Sequence, residues 1–195
     1  MSFQWIIDNA EDIQINKRGI VAQTMARDQT VRSLSRGGII WRFTVTPSSG
    51  LRYNDAGIRS YIETIDNFDR LTPFYASFSH LNLFPLQATG TVPTSISVTQ
   101  GSNTASVSGG SGTRLKSGDI IQLTGQPRVY TVFGDLTATN IVLNRPVLES
   151  SGTYSLTTGS ACSFKLICTQ IPDYKITPGN IIQWTGPFVF VESLL

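Results

Sequence analysis

One histidine, two cysteines and two clusters of carboxylates are the side chains through which this chain could do acid–base, nucleophilic or metal chemistry. His80 sits in "SFSHLNLF", flanked by aromatic and apolar residues, and reads as a structural residue rather than a base. Cys162 and Cys168, in "ACSFKLIC", have the wrong spacing for a CxxC knuckle and no second cysteine pair. Their even separation puts both on one face of a strand, as buried, reduced thiols of a chain made in a cytosol. Asp8, Glu11 and Asp12 lack the alternating oxygen ligands of a calcium loop and read as a turn between strands. Glu63, Asp66 and Asp69 read as the solvated face of a helix. In "GGSGTRLKSGD", aligning Gly110 with the first glycine of a phosphate loop puts Leu115 where the second must stand. A strand follows where that motif needs a helix, so the segment is expected to be a flexible turn. No catalytic constellation, metal site or cofactor site emerges, and a non-enzymatic role is expected.

The polar series that remains is Arg27, Arg32 and Arg36, with Arg42 close behind. These arginines are interspersed with Gln, Thr and Ser rather than with the stacking aromatics of a single-strand nucleic-acid platform. A net charge of +2, from 15 basic and 13 acidic residues, is too balanced for an electrostatic grip on nucleic acid or anionic membrane. Arginine is enriched at protein interfaces, where its planar fork pairs with carboxylates and its stem covers apolar surface. Subunit contacts are therefore the expected use, with Trp41 beside them.

The elements that would position these residues are mostly strands. Charged residues make up only 14%, with Ser, Thr, Gly and Asn in their place, as in short strands joined by turns. "DIQINKR" alternates, "GIVAQTMA" is an apolar run, and "GGIIWRFTVTP" carries Ile39, Trp41, Phe43 and Val45 on one parity. Gly37 and Gly38 are expected to open that last strand and Pro47 to close it. Ile58, Tyr61, Ile62, Ile65 and Phe68 fall on one helical stripe, predicting a helix over residues 54–70 capped by Asn54 or Asp55. No other substantial helix is expected. Beyond a boundary near residue 90, short strands recur about every ten residues, the spacing of a barrel or sandwich. No run approaches the roughly 20 apolar residues of a membrane-spanning helix, and "MSFQWIIDNA" does not read as a secretory signal.

The chain spells one phrase twice, "KSGDIIQLTG" and "TPGNIIQWTG". In both, a glycine (Gly118, Gly179) that tolerates positive φ precedes Asp119 or Asn180, then a strand. Each copy predicts a hairpin, over 115–133 and 176–192.

The stretch "NAEDIQINKRGIVAQTMARDQTVRSLSRGGIIWRF", together with "LKSGDIIQL", "RVYTV" and "IVLNRPV", resembles small tail structural proteins of long-tailed bacteriophages, in particular baseplate and distal-tail hub components. The likeness covers two separated blocks, about half of the chain. It implies a virion protein, synthesised in the host cytoplasm, that forms a ring around the tail axis, usually of six copies, and joins the tail tube to baseplate proteins. It also implies a mainly β, α+β fold. Residues 1–90 would form a tail-tube-like sandwich or barrel with one packed helix, and 91–195 a β-barrel-like docking module. On this reading Arg27, Arg32, Arg36, Trp41 and Arg42 lie at subunit contacts. A tail-tube initiator, a tail completion protein or a baseplate wedge would use similar modules. Two other classes compete. A carbohydrate-binding β module would need exposed aromatic platforms, with Trp184, Phe188 and Phe190 as candidates, and a hydrolase would need Asp66 or Asp69 at its site.

Overall fold

The computed structural model describes residues 3–17, 19–25, 31–55, 57–68, 72–135 and 139–193, without the side chains of 20–37. The fold is mainly β, an α+β arrangement of curled antiparallel sheets. Two compact units divide the chain: one of Ala10–Leu71 with Ile167–Glu192, the other of Met1–Asn9, Thr72–Leu166 and Ser193–Leu195.

The larger unit contains a small barrel. Strands β6 (Ser95–Val98), β7 (Thr104–Ser108), β8 (Ile120–Leu123), β9 (Val129–Thr131), β10 (Asn140–Val142) and β11 (Gly152–Thr158) form a sheet in the order β10-β7-β6-β11-β8-β9. Every pairing is antiparallel. Its two ends meet: Phe133 N donates to Val142 O at 2.8 Å, and Asn144 N to Thr131 O at 2.9 Å. Closure removes the open edges that a twisted sheet would otherwise present. Alternation supplies the filling. Ile96 and Val98, Ala105 and Val107, Ile121 and Leu123, Tyr130 and Val132, and Ile141 and Leu143 each lie two apart and point into one buried cluster.

One polar network is buried in the same unit. The Tyr130 hydroxyl donates to Glu149 Oε2, Arg128 pairs with Glu149 Oε1 at 3.4 Å, and Arg145 lies over the Tyr130 ring while donating to Val129 O. Burial and the neighbouring Glu149 carboxylate push the Tyr130 hydroxyl well above the ordinary phenol range. The aromatic-rich stretch packs nearby in the chain. β5 (Phe74–Ser77) pairs with the first half of β12 (Ser163–Gln170), and Phe78 and Phe84 meet the Phe164 ring at 5.6 and 5.7 Å. A short helix α1 (Gln4–Asp8) buries Ile6 and Ile7.

In the other unit, β1 (Ala10–Asn16) pairs with β4 (Arg42–Pro47), and β4 with β15 (Phe188–Glu192). Residues 72–90 do not belong to the compact unit of 10–71, as the boundary near residue 90 would have it. The C-terminal strand does, because Phe188 lies opposite Val45 and Phe190 opposite Phe43. β2 (Gly19–Met25) and β3 (Val31–Ile39) form a separate two-stranded ribbon. The expected single strand through "GGIIWRFTVTP" breaks at Ile40–Trp41, and Gly38, at φ +62, belongs to the end of β3. Helix α2 (Ile58–Asp66) is shorter than expected and buries Ile62 and Ile65. Its N-cap is Gly57, at φ +87, without a side-chain cap, and Asn54 Oδ1 instead accepts a bond from Arg59.

The repeated phrase resolves into two different hairpins. β8 pairs with the strand after it, β9, as expected. In the second copy, β14 (Ile181–Trp184) pairs with the strand before it, β13 (Tyr174–Thr177), so 176–192 is not one hairpin. Gly118 and Gly179 both take positive φ, +98 and +90, but only Asn180 follows at +60. Asn enters the left-handed region more readily than other non-glycine residues, which lets the turn reverse the chain there. Asp119 instead closes the Lys116–Asp119 turn from its carboxylate, which accepts Lys116 N at 2.8 Å and Gln87 N at 2.9 Å.

Replacing Ile121 by Ala is expected to destabilise the chain by about 2–5 kcal/mol, and Val142 by Ala, on the exposed side, by under about 0.5 kcal/mol. Urea-unfolding midpoints of the two variants against the parent chain check the contrast.

Candidate interaction sites

Of the residues expected at subunit contacts, only Trp41 and Arg42 have described side chains. Arg27 lies outside the described residues, and Arg32 and Arg36 lie on β3 with side chains outside them. Trp41 is 1% exposed, stacked at 5.9 Å on Phe43, and so is committed to the core instead of to a surface. Arg42 is exposed on β4, opposite Asn16 of β1.

Around Arg42 the structure assembles a face that spacing alone does not reveal. Gln14, Asn16, Arg42 and Thr44 lie on directly paired positions of β1 and β4, which puts them on one side of the sheet. With Ile15 and Lys17 they line a concavity of about 620 Å³. The Lys17 ammonium stands 5.3 Å over the Trp41 indole, a cation–π contact, and burial holds its pKa below the ordinary lysine value. No carboxylate is among the described residues lining the concavity itself, but Asp12, next on the same side of β1, accepts a bond from Gln14 Nε2 at 3.3 Å. Among the described strands β1 is also a sheet edge, paired only with β4, and Ile15 on it remains 38% exposed. An edge strand with exposed apolar side chains is a template for another strand.

A second concavity of the same unit, about 460 Å³, has Trp184 as its aromatic wall, with Glu11, Lys175, Gln183, Thr46 and Pro187 around it. Glu11 owes its position to a bulge. Ala10 pairs with Pro47 and Asp12 with Thr46, leaving Glu11 as the extra residue. A bulge of this kind re-aims the side chain it carries. Trp184 meets Tyr174 and Phe188 edge-on at 5.3 and 5.0 Å, and its buried indole Nε1–H has no acceptor among the described residues. Such an orphan donor costs about 1–3 kcal/mol. Phe188 and Phe190 are fully buried and cannot serve as exposed platforms. Tyr174 donates to Asp66 at 3.3 Å, and its hydroxyl is pushed above the ordinary phenol value, first by burial and then by that carboxylate.

The remaining candidates stay apart. His80 is exposed in a turn after β5, and Asp66 lies exposed on α2, while Asp69 is outside the described residues. The glycine-rich segment is held in place by backbone pairing: Thr91 and Ser111 exchange bonds at 3.0 and 3.3 Å, and Gly90 N donates to Thr113 O. At Gly110, φ is +76 and an added Cβ would fall 2.2 Å from Thr91 O. No helix among the described residues is long and apolar enough to cross a membrane. No protein-family model and no curated protein matches the sequence.

Cys162 and Cys168 are both buried thiols. The Cys162 thiol donates toward Thr157 O at 3.5 Å, and burial pushes its pKa up to about 12. Since thiolate is the reactive form, Cys162 is expected to resist iodoacetamide at about pH 8 in the native chain and to react once urea unfolds it. The sign of the linkage follows. A proton held more tightly in the folded state contributes stability below the unfolded thiol pKa, and that contribution is lost as pH rises toward about 12. Mass spectrometry of chains labelled before and after unfolding checks the first point.

Proposed function

We propose that this chain is a structural, non-enzymatic subunit of a bacteriophage tail, part of the baseplate or distal tail hub, that works by assembling with copies of itself into a ring. The observation that carries the reading is the pairing of the N-terminal strands. β2 and β3, seven and nine residues long, pair with each other and with no other described strand. A lone two-stranded ribbon is marginal in water, and a third strand or a packing partner is what stabilises it. β1 supplies an open edge in the same unit, and Arg42 and Lys17 stand beside it. Strand addition between copies would complete the ribbon and cover the edge at once. A head-to-tail contact of this kind closes into a ring when its rotation divides a full turn.

Sequence resemblance supplies the phage context and the expected six copies, with the tail tube and baseplate proteins as neighbours in the virion. Obligate interfaces of this sort bury upward of about 2,000 Å². A tail-tube initiator, completion protein or wedge would use the same assembly chemistry at a different level of the tail.

Light scattering across a concentration series is expected to give a discrete multiple of the 21.3 kDa chain, and electron microscopy of that species to show rings. Arg42→Glu, which reverses the charge beside the open edge, is expected to lower the ring fraction at least about tenfold, the equivalent of about 1.4 kcal/mol. A chain that remains monomeric at all concentrations, alone and with other tail proteins, would sink the reading.

A further inference from the structure

We infer that the concavity walled by Trp184 is a binding site for a neutral hexopyranoside. The inference is independent of the tail reading, since the site lies within one unit of one chain.

The walls select the ligand. Trp184 is half-buried and gives an apolar surface, with Pro47 and Pro187 beside it, while Glu11, Lys175 and Gln183 bring an acceptor, a donor and a group that is both. None of these three side chains is engaged by a hydrogen bond or ion pair among the described residues. The bulge places Glu11 here at the expense of a regular ladder position. A concavity of about 460 Å³ with an aromatic wall and a few convergent polar groups is in the range of small-ligand sites.

Other ligand classes fit less well. An anion would be repelled by Glu11 and a cation by Lys175. A purely apolar molecule would desolvate Glu11, Lys175 and Gln183 without returning their hydrogen bonds. A pyranose ring presents a C–H face that packs on an indole and a rim of hydroxyls, each both donor and acceptor. That pattern matches an apolar wall with mixed polar groups around it. Lys175 and Gln183 lie opposite each other on β13 and β14, so the hairpin fixes the spacing of two of the three polar contacts.

Saturation-transfer NMR of the full chain with the methyl glycosides of glucose, galactose, mannose and N-acetylglucosamine tests the site. At least one is expected to bind with a Kd on the order of 1 mM, which suits a shallow single-sugar site. Gln183→Ala and Glu11→Gln are expected to weaken that binding by about tenfold while leaving the unfolding midpoint unchanged. Trp184→Ala is expected to abolish it. Because that last change also removes packing against Tyr174 and Phe188, the two polar variants keep the test decisive if it unfolds the chain. Absence of saturation transfer from all four sugars, or binding that is unchanged in the folded Gln183 and Glu11 variants, overturns the inference. Ring formation is unaffected by either result, so failure here and failure of the assembly reading are distinguishable.

Discussion

The pairing of β15 with β4 is the constraint on which one unit depends. Phe188 opposite Val45 and Phe190 opposite Phe43 put four buried side chains on adjacent strands, and Trp41 stacks on Phe43 beyond them. Fully burying an aromatic or branched side chain contributes about 1.5–3 kcal/mol, so this strip outweighs any single hydrogen bond in the unit. Its consequence is topological. Residues some 140 positions apart become neighbours, and the segment just before β15 is carried to the end of β4. There Trp184 meets Thr46 and Pro47, and the concavity exists because of that return.

The barrel of the other unit answers a different constraint. With few charges in the chain, bare strand edges have little electrostatic protection against pairing with other chains. Closure between β9 and β10 removes the problem there. The buried Arg128–Glu149–Tyr130 network does not explain the barrel's stability, because desolvating a charge pair costs about as much as its attraction returns. Its effect is on register. A one-residue slip of β9 would turn Tyr130 outward and strand the Glu149 carboxylate in an apolar interior.

How much of this was legible in the sequence depended on the range of the interaction. Hydrophobic periodicity is local, and it marked the strand through Phe43 and Val45, the barrel strands and the helix stripe of Ile62 and Ile65. Positive φ at Gly118 and Gly179 was legible for the same reason, since only glycine takes it without strain. Partner choice was not. "IIQLTG" and "IIQWTG" have nearly the same local preferences, yet one strand pairs forward and the other backward. The deciding difference at the turn is a carboxylate that closes on Lys116 N in one copy and an asparagine at φ +60 in the other. The domain boundary failed for the same reason: a composition shift near residue 90 is local, whereas β15 on β4 is not. Trp41 shows the ambiguity at a single residue, because its parity with Phe43 and Val45 placed it on the buried face while its arginine neighbours drew it toward an interface.

The two concavities were illegible because each joins residues from strands whose pairing had to be known first. Arg42 stood out by type, but Lys17 joined it only through the β1–β4 register, and Glu11 came to Trp184 only through a bulge and the return of the C-terminus. They differ in character along one sheet. At the Asn16 end, two cations and an exposed isoleucine flank an open edge, a composition suited to another protein chain. At the Ala10 end, charges of both signs surround an indole in a smaller hollow, a composition suited to a small polar ligand. β1 runs the length between them in seven residues, so one edge strand sets the chemistry of both ends. Bulges interrupt regular pairing, and the one at Glu11 would end a strand added along β1 before it covers the hollow.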